Sequence, residues 1–240
     1  MLEYTKLKQN RRKLLALTGL TLKEFKALRP FFVEAYGHTC AGETTLAGDK
    51  RQRLVGGGRA GTLKTCEQKL LFILVYQKTY PLQVVIGELF DMSQSSANYW
   101  IHRLLPVLRD ALTEMGVMPE REGAQFAVAE RHQKELPEYI IDGTERRRQR
   151  PQKPGKQAEH YSGKKKTHSD KNVVIVQKGS KRVAYLSPTY AGKTHDKKVA
   201  DCEQIAYPRQ ATLYQDTGFQ GYAPTVADCR QPKKSRAGKS

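Results

Sequence analysis

Two apolar runs of the chain stop on a carboxylate. Ile140-Ile141-Asp142-Gly143-Thr144 places Asp142 where one run ends, and Leu213-Tyr214-Gln215-Asp216-Thr217-Gly218 does the same for Asp216. If these runs are neighbouring strands, about 4.8 Å apart, the two carboxylates converge at one edge of a sheet. Hard oxygen donors of this kind suit Mg²⁺ or Mn²⁺, which keep open positions for water and phosphate. Ions held there can stabilise the attacking and the leaving oxygen of an in-line phosphodiester displacement. Asp-Gly at a strand end is also the ordinary composition of a tight turn.

The charge favours the first reading. Among 240 residues, 42 Lys and Arg face 24 Asp and Glu, a formal charge of +18, and an excess of that size points to a polyanionic partner, nucleic acid first among them. It is concentrated near Asp142. Residues 143–171 hold Arg146, Arg147, Arg148, Arg150, Lys153, Lys156, Lys164, Lys165, Lys166 and Lys171 against three acids. That stretch is expected to lie along a DNA backbone; its alternative is a solvated loop. No stretch approaches the roughly 18 to 20 apolar residues that span a bilayer, and the N-terminus lacks an apolar segment behind its positive charge. A cytoplasmic protein with no membrane partner is expected. The four cysteines form no C-x-x-C pair, and no histidine pair has zinc-ligand spacing, so neither a disulfide framework nor a zinc site is expected.

The elements that must position these groups fall into two regions. Leu14, Leu15 and Leu17, then Leu22, Phe25, Leu28, Phe32 and Tyr36, recur at helical spacing, and Thr21 with Glu24 makes a capping box. Residues 1–36 are therefore an N-terminal helical segment, and 37–64 a basic Gly-rich loop. From 65 to 115 the helical period returns: Leu70, Leu71, Leu74 and Val75 form one stripe, Leu82, Val85, Ile86, Leu89 and Phe90 a second, and Ala97, Ile101, Leu104, Leu108, Ala111 and Leu112 a third, capped by Ser93. This spacing predicts a helix-turn-helix, with Pro106 bending the last helix.

On the polar face of that last helix stand Gln94, Ser95, Asn98, Tyr99, His102 and Arg103, the first of them placed to meet base edges and Arg103 to meet phosphate. An ordinary helical bundle with a polar outer face is the alternative. Residues 116–137, rich in Glu, Arg and Gln, are expected to be a linker. Beyond them the pattern turns strand-like at 139–141, 173–176, 183–186 and 211–214, with a hairpin at Lys178–Lys181 and a helix over 194–206. The fold class expected is α+β: a helical helix-turn-helix domain, then an α/β domain with a mixed sheet over 138–240.

Several strings occur together. IDGTE (Ile141 to Glu145), YSGKKKTHSDKN (161–172), LSPTYAGKTHDKK (186–198) and LYQDTGFQGY (213–222) resemble the DDE-superfamily transposases of bacterial insertion sequences, and residues 65–112 resemble the helix-turn-helix that precedes their catalytic domain. The resemblance runs from about Leu14 to Tyr222. It implies a ribonuclease-H-like catalytic domain in which Asp142 and Asp216 match the first two acids, a divalent Mg or Mn cofactor, binding of element ends and target DNA, hydrolysis followed by strand transfer, and self-association on DNA. Asp196, in Thr194-His195-Asp196-Lys197, matches a further recurrent word. It is a candidate metal ligand, although the start of a predicted helix suits a capping or dipole role better.

Members of that family carry a third acid, a Glu on a later helix, and no Glu follows Glu203 in this sequence. The resemblance therefore implies a C-terminally incomplete, truncated domain, inactive alone, with a downstream-frame product as the source of the third acid. A non-catalytic end-binding repressor is the competing class. A basic RNA-binding protein would fit the charge but leaves the two strand-end acids unexplained.

Overall fold

The computed structural model describes residues 1–40, 61–131 and 136–232. The chain divides into two units, Met1–Val117 and Met118–Ser240.

In the first unit α1 (Tyr4–Leu7), α2 (Arg11–Thr18), α3 (Leu22–Cys40), α4 (Cys66–Thr79), α5 (Gln83–Phe90) and α6 (Gln94–Glu114) surround one apolar core. The capping box forms as its residues demand: the Glu24 carboxylate accepts from the Thr21 backbone N–H at 2.7 Å, and Thr21 Oγ1 accepts from Glu24 N–H at 3.3 Å. Ser93 likewise caps α6, accepting from the Ser96 N–H. The expected loop at 37–64 begins later than its composition suggests, because α3 continues through Cys40; positions 41–60 lie outside the described residues.

Two stripes read from the sequence are corrected. On α4 every residue from Gln68 to Val75 is buried, so this helix is enclosed rather than one-sided. Its polar members bond inward: Gln68 donates to the Leu2 carbonyl at 2.6 Å and accepts from Tyr4 N–H at 3.0 Å, and Lys69 donates to the Leu63 carbonyl at 2.8 Å. The N-terminal segment is thereby part of the helix-turn-helix unit. On α5 only Ile86 and Phe90, with Gly87, are buried, whereas Leu82 is 75% exposed and Val85 and Leu89 also face outward.

The second unit starts inside the stretch expected to be a linker. Phe126, at the head of α7 (Phe126–Ala129), is fully buried against Tyr139, Tyr185 and Tyr207. Glu130 is buried too, accepting from the Tyr139 hydroxyl at 3.0 Å and ion-pairing with Arg182. A Glu- and Arg-rich composition looks solvated along the chain, but here those charges frame an aromatic cluster.

The sheet is mixed. Its long central strand β1 (Glu138–Arg147) is followed by α8 (Pro154–His160) and β2 (Tyr161–Ser162). Then come β3 (Thr167–Gln177), β4 (Val183–Leu186), β5 (Tyr190–Ala191), α9 (Asp196–Glu203), β6 (Thr212–Gln215) and β7 (Asp228–Arg230). β3 runs antiparallel to β1 and to β4, while β6 runs parallel to β1 and β7 parallel to β6. Tyr139, Ile141, Val173, Ile175 and Leu213 point to one face, and Val199 and Ala200 of α9 complete that core. Ile140, on the other face, is 40% exposed.

Candidate active site

The register of the parallel pair decides where the acids go. Ile140 pairs with Tyr214 and Ile141 with Gln215, so Asp142 and Asp216 follow at equivalent places on adjacent strands, about 4.8 Å apart across the ladder. Both line one cleft of about 580 Å³ with Ile140, Tyr214 and Arg230. The strand end expected at Asp142 is corrected: β1 runs on to Arg147 against β3, and only the pairing with β6 stops there, whereas β6 does end before Asp216. Asp142 Oδ1 accepts from the Gly143 N–H at 2.8 Å within the strand, and Asp216 Oδ1 caps the turn that follows it, accepting from the Gly218 N–H at 2.7 Å. One oxygen of each acid is thus tied to backbone.

A third carboxylate arrives from α9. Asp196, the first residue of that helix, does not act as its N-cap, which is His195. A Cβ placed on Gly143 would lie 2.6 Å from Asp196 Cγ, and one placed on Gly218 would lie 3.1 Å from Asp196 Oδ2 and 3.0 Å from Asp216 Oδ1. Gly143 within β1 and Gly218 in the turn after Asp216 therefore leave the space that the Asp196 carboxylate occupies. Asp142 belongs to the outward face of β1, and Asp196 comes from the α9 side.

Lys171 corrects the sequence reading. Counted there with the DNA-facing cations, it is 7% exposed and turned into the α9 side of the sheet. Its ammonium donates to the Thr194 carbonyl at 2.8 Å and stands 2.9 Å from Asp196 Oδ1 and 3.3 Å from Glu145 Oε1. Aligned on Thr194, it leaves Asp196 Oδ1 buried without a hydrogen bond. Burial works against the Glu145 carboxylate, but hydrogen bonds from Ser162 and Lys171 and the Lys171 charge outweigh it, and its pKa falls below the usual glutamate value. The signal was in the sequence: Lys171, Val173 and Ile175 share a period of two, as do Glu145, Gly143 and Ile141, and Glu145 pairs directly with Lys171.

The donor set fits a hard divalent ion. It offers the carboxylate oxygens of Asp142 and Asp216 at a cleft open to water and phosphate, while the buried Asp196 Oδ1 faces Lys171 at 2.9 Å instead. Among the described residues no group of three or more His, Cys, Asp or Glu already stands in ligating positions.

The remaining candidates lie outside this cluster. Arg146, Arg147, Arg148 and Arg150 run outward from the end of β1, and Lys164, Lys165 and Lys166 are exposed between β2 and β3. Several are braced: Arg148 donates to Asp170 at 2.8 Å, Arg150 to Gln157 at 2.9 Å, and Arg146 reaches Thr189. In the first unit Gln94, Ser95 and Tyr99 are exposed on α6, while Asn98 accepts from Gln83 at 2.9 Å and the Arg103 guanidinium lies 5.8 Å from the Tyr99 ring centre. α6 runs unbroken through Pro106. Among the described residues no helix is long and apolar enough to cross a membrane.

Residues 61–114 match the family model described as the helix-turn-helix of DDE superfamily endonuclease, and residues 141–238 match the one described as DDE superfamily endonuclease. No curated protein and no solved structure matches the chain. One match falls within each unit. Together with the helical unit and the mixed sheet they support a DDE-superfamily endonuclease-like, transposase-like protein, with DNA binding and cleavage as the general activity those families carry.

Proposed function

We propose that this chain recognises the ends of a bacterial insertion sequence and carries the phosphodiester-cleaving and strand-transfer site of its transposase. The observation that carries the reading is the register that sets Asp142 beside Asp216 at one cleft. Asp142 and Asp216 are the residues that would hold Mg²⁺ or Mn²⁺. Such an ion supplies charge neutralisation at the attacking and leaving oxygens. The backbone N–H groups of Gly143 and Gly218 fix one oxygen of each acid, leaving the other toward the cleft. No side-chain nucleophile is needed, because water and then a DNA 3′-hydroxyl attack. Arg146, Arg147, Arg148, Arg150 and Lys164 to Lys166 hold the backbone, while Gln94, Ser95, Asn98, Tyr99 and Arg103 address the element end. The working form is a homo-oligomer on paired ends.

The test is nicking of end-containing DNA with Mn²⁺. Metal-dependent cleavage that disappears in Asp142→Asn is expected, and equal cleavage by both proteins would remove the assignment. A second reading, a non-catalytic end-binding repressor, has in its favour that no group of three or more His, Cys, Asp or Glu stands in ligating positions among the described residues; binding without cleavage would select it.

DNA binding carries its own prediction. Arg147→Ala and Lys164→Ala should each weaken binding alike for all sequences and flatten the plot of log K against log salt by about 0.9. Gln94→Ala should instead narrow the gap between end and random DNA by about 1–3 kcal/mol. Anisotropy titrations over a salt series read both, and an unchanged slope in the two basic variants would contradict the contact.

A further inference from the structure

We propose that the basic groove between α2 and α3 is a second binding surface for double-stranded DNA, one that holds the phosphodiester backbone whatever its sequence. The inference rests on the DNA-binding reading of the chain, but on neither the α6 face nor the cleft of Asp142 and Asp216. Residues 11–26, which form the groove, precede both family matches.

Arg11, Arg12 and Leu15 of α2 and Leu22, Lys23 and Lys26 of α3 line a space of about 580 Å³. The turn that joins the two helices is fixed at both ends. Gly19 closes α2 in the left-handed conformation, at φ 74°, Thr18 Oγ1 accepts from the Leu20 N–H at 3.1 Å, and the capping box of Thr21 and Glu24 opens α3. The four cations therefore stand on walls whose spacing is set before any ligand arrives.

Their charge is uncompensated. No acid lines the groove, and Glu24, the nearest in sequence, is engaged by the Thr21 N–H and hydroxyl at 2.7 Å each. On either side along the chain, cations are paired: Lys6 with Glu3 at 3.3 Å and Arg29 with Glu67 at 2.7 Å. Among the described residues Arg11, Arg12, Lys23 and Lys26 have no such partner, and all four are exposed. The first turn of α2 holds Arg11, Arg12 and Lys13 with no acid, so three cations meet one another and the positive end of the helix dipole. Helix stability does not account for that placement; a polyanion lying along the groove relieves both repulsions. A duplex carries one negative charge per about 1.7 Å of its axis, enough to meet cations on both walls at once. Contacts of this kind fix register and orientation without reading bases.

The experiment is anisotropy titration of the full chain with end-containing and random duplexes over a salt series, with a thermal melt of each variant. Arg11→Gln/Arg12→Gln/Lys23→Gln/Lys26→Gln should weaken binding of both duplexes alike. It should flatten log K against log salt by about 0.9 for each side chain that meets a phosphate, up to about 3.6. Because α2 loses like charges at its positive end, this variant should melt no lower than the parent. Arg12→Gln/Lys26→Gln, with one change on each helix, should flatten the slope by about 1.8. A control with the same charge removed carries Gln in place of Arg121, Arg131, Lys198 and Arg209, exposed cations outside every surface assigned to DNA above. An unchanged slope in the groove variants, or an equal loss in the control, would overturn the groove as a contact. So would lost sedimentation with phosphatidylglycerol vesicles at unchanged DNA binding, which would assign the groove to a lipid surface. If the parent itself binds neither duplex, the DNA-binding reading falls and this inference with it.

Discussion

Gly143→Val is expected to suppress Mn²⁺-dependent nicking as fully as Asp142→Asn, by about 10²-fold or more, although it removes no acid. The first atom of the new side chain would lie 2.6 Å from Asp196 Cγ, so the carboxylate, the start of α9 or β1 must move. Such overpacking costs about 1–3 kcal/mol, and a displacement near 1 Å in a site that depends on placement costs about 10²-fold in rate. Away from Asp196 the substitution would be benign. Gly143 is not among the residues with positive φ, and a β-branched side chain suits a strand. That contrast makes the prediction sharp. Gly143→Val/Asp196→Gly, which opens the space again, should recover most of the lost melting temperature without recovering activity. A Gly143→Val protein that melts and cleaves like the parent would show that the Asp196 carboxylate does not sit where the cleft needs it.

Phe126→Ala should destabilise the second unit by about 3–5 kcal/mol. Its ring is fully buried and meets Tyr139, Tyr185 and Tyr207 with centroids 5.2, 6.0 and 5.7 Å away. Truncation would leave a cavity among three large rings whose hydroxyls limit how far they can collapse, Tyr139 being bonded to Glu130 and Tyr185 to Glu203. Against a total of about 5–15 kcal/mol for a domain, that is a large share, and the melting temperature should fall by roughly 10–15 °C. A residue in a solvated connection would change stability by less than about 0.5 kcal/mol. Urea unfolding followed by circular dichroism separates the two, and a midpoint shift of the smaller size would return 116–137 to the role of a linker.

These expectations depend unequally on sequence and fold. The capping box at Thr21 and Glu24, the Ser93 cap, the Lys178–Lys181 hairpin and the strand end at Asp216 were legible because each depends on neighbours within a few positions; the end expected at Asp142 was not met, because pairing with β3 carries β1 on to Arg147. A cap needs only its own helix, and a strand's period is local. The outward turn of Leu82, Val85 and Leu89, the enclosure of α4 and the burial of Phe126 were not legible in that way. An apolar stripe states that a face can be covered, and only a distant partner decides whether it is.

By itself, then, the sequence determined the helical first unit, the α/β second unit, and an acid placed where β6 stops, whereas the acid at Asp142 lies inside β1, which runs on to Arg147. Tertiary structure decided that β6 pairs parallel with β1 at the register bringing those acids together. It also decided that α9 delivers Asp196 into the space left by two glycines, and that Lys171 points inward to meet it. The physical reason is one of range: hydrogen bonds along a helix or turn are set by adjacent residues, whereas a buried ammonium needs carboxylates from β1 and α9, which lie 26 and 25 positions away, and becomes favourable only once the sheet has assembled around it.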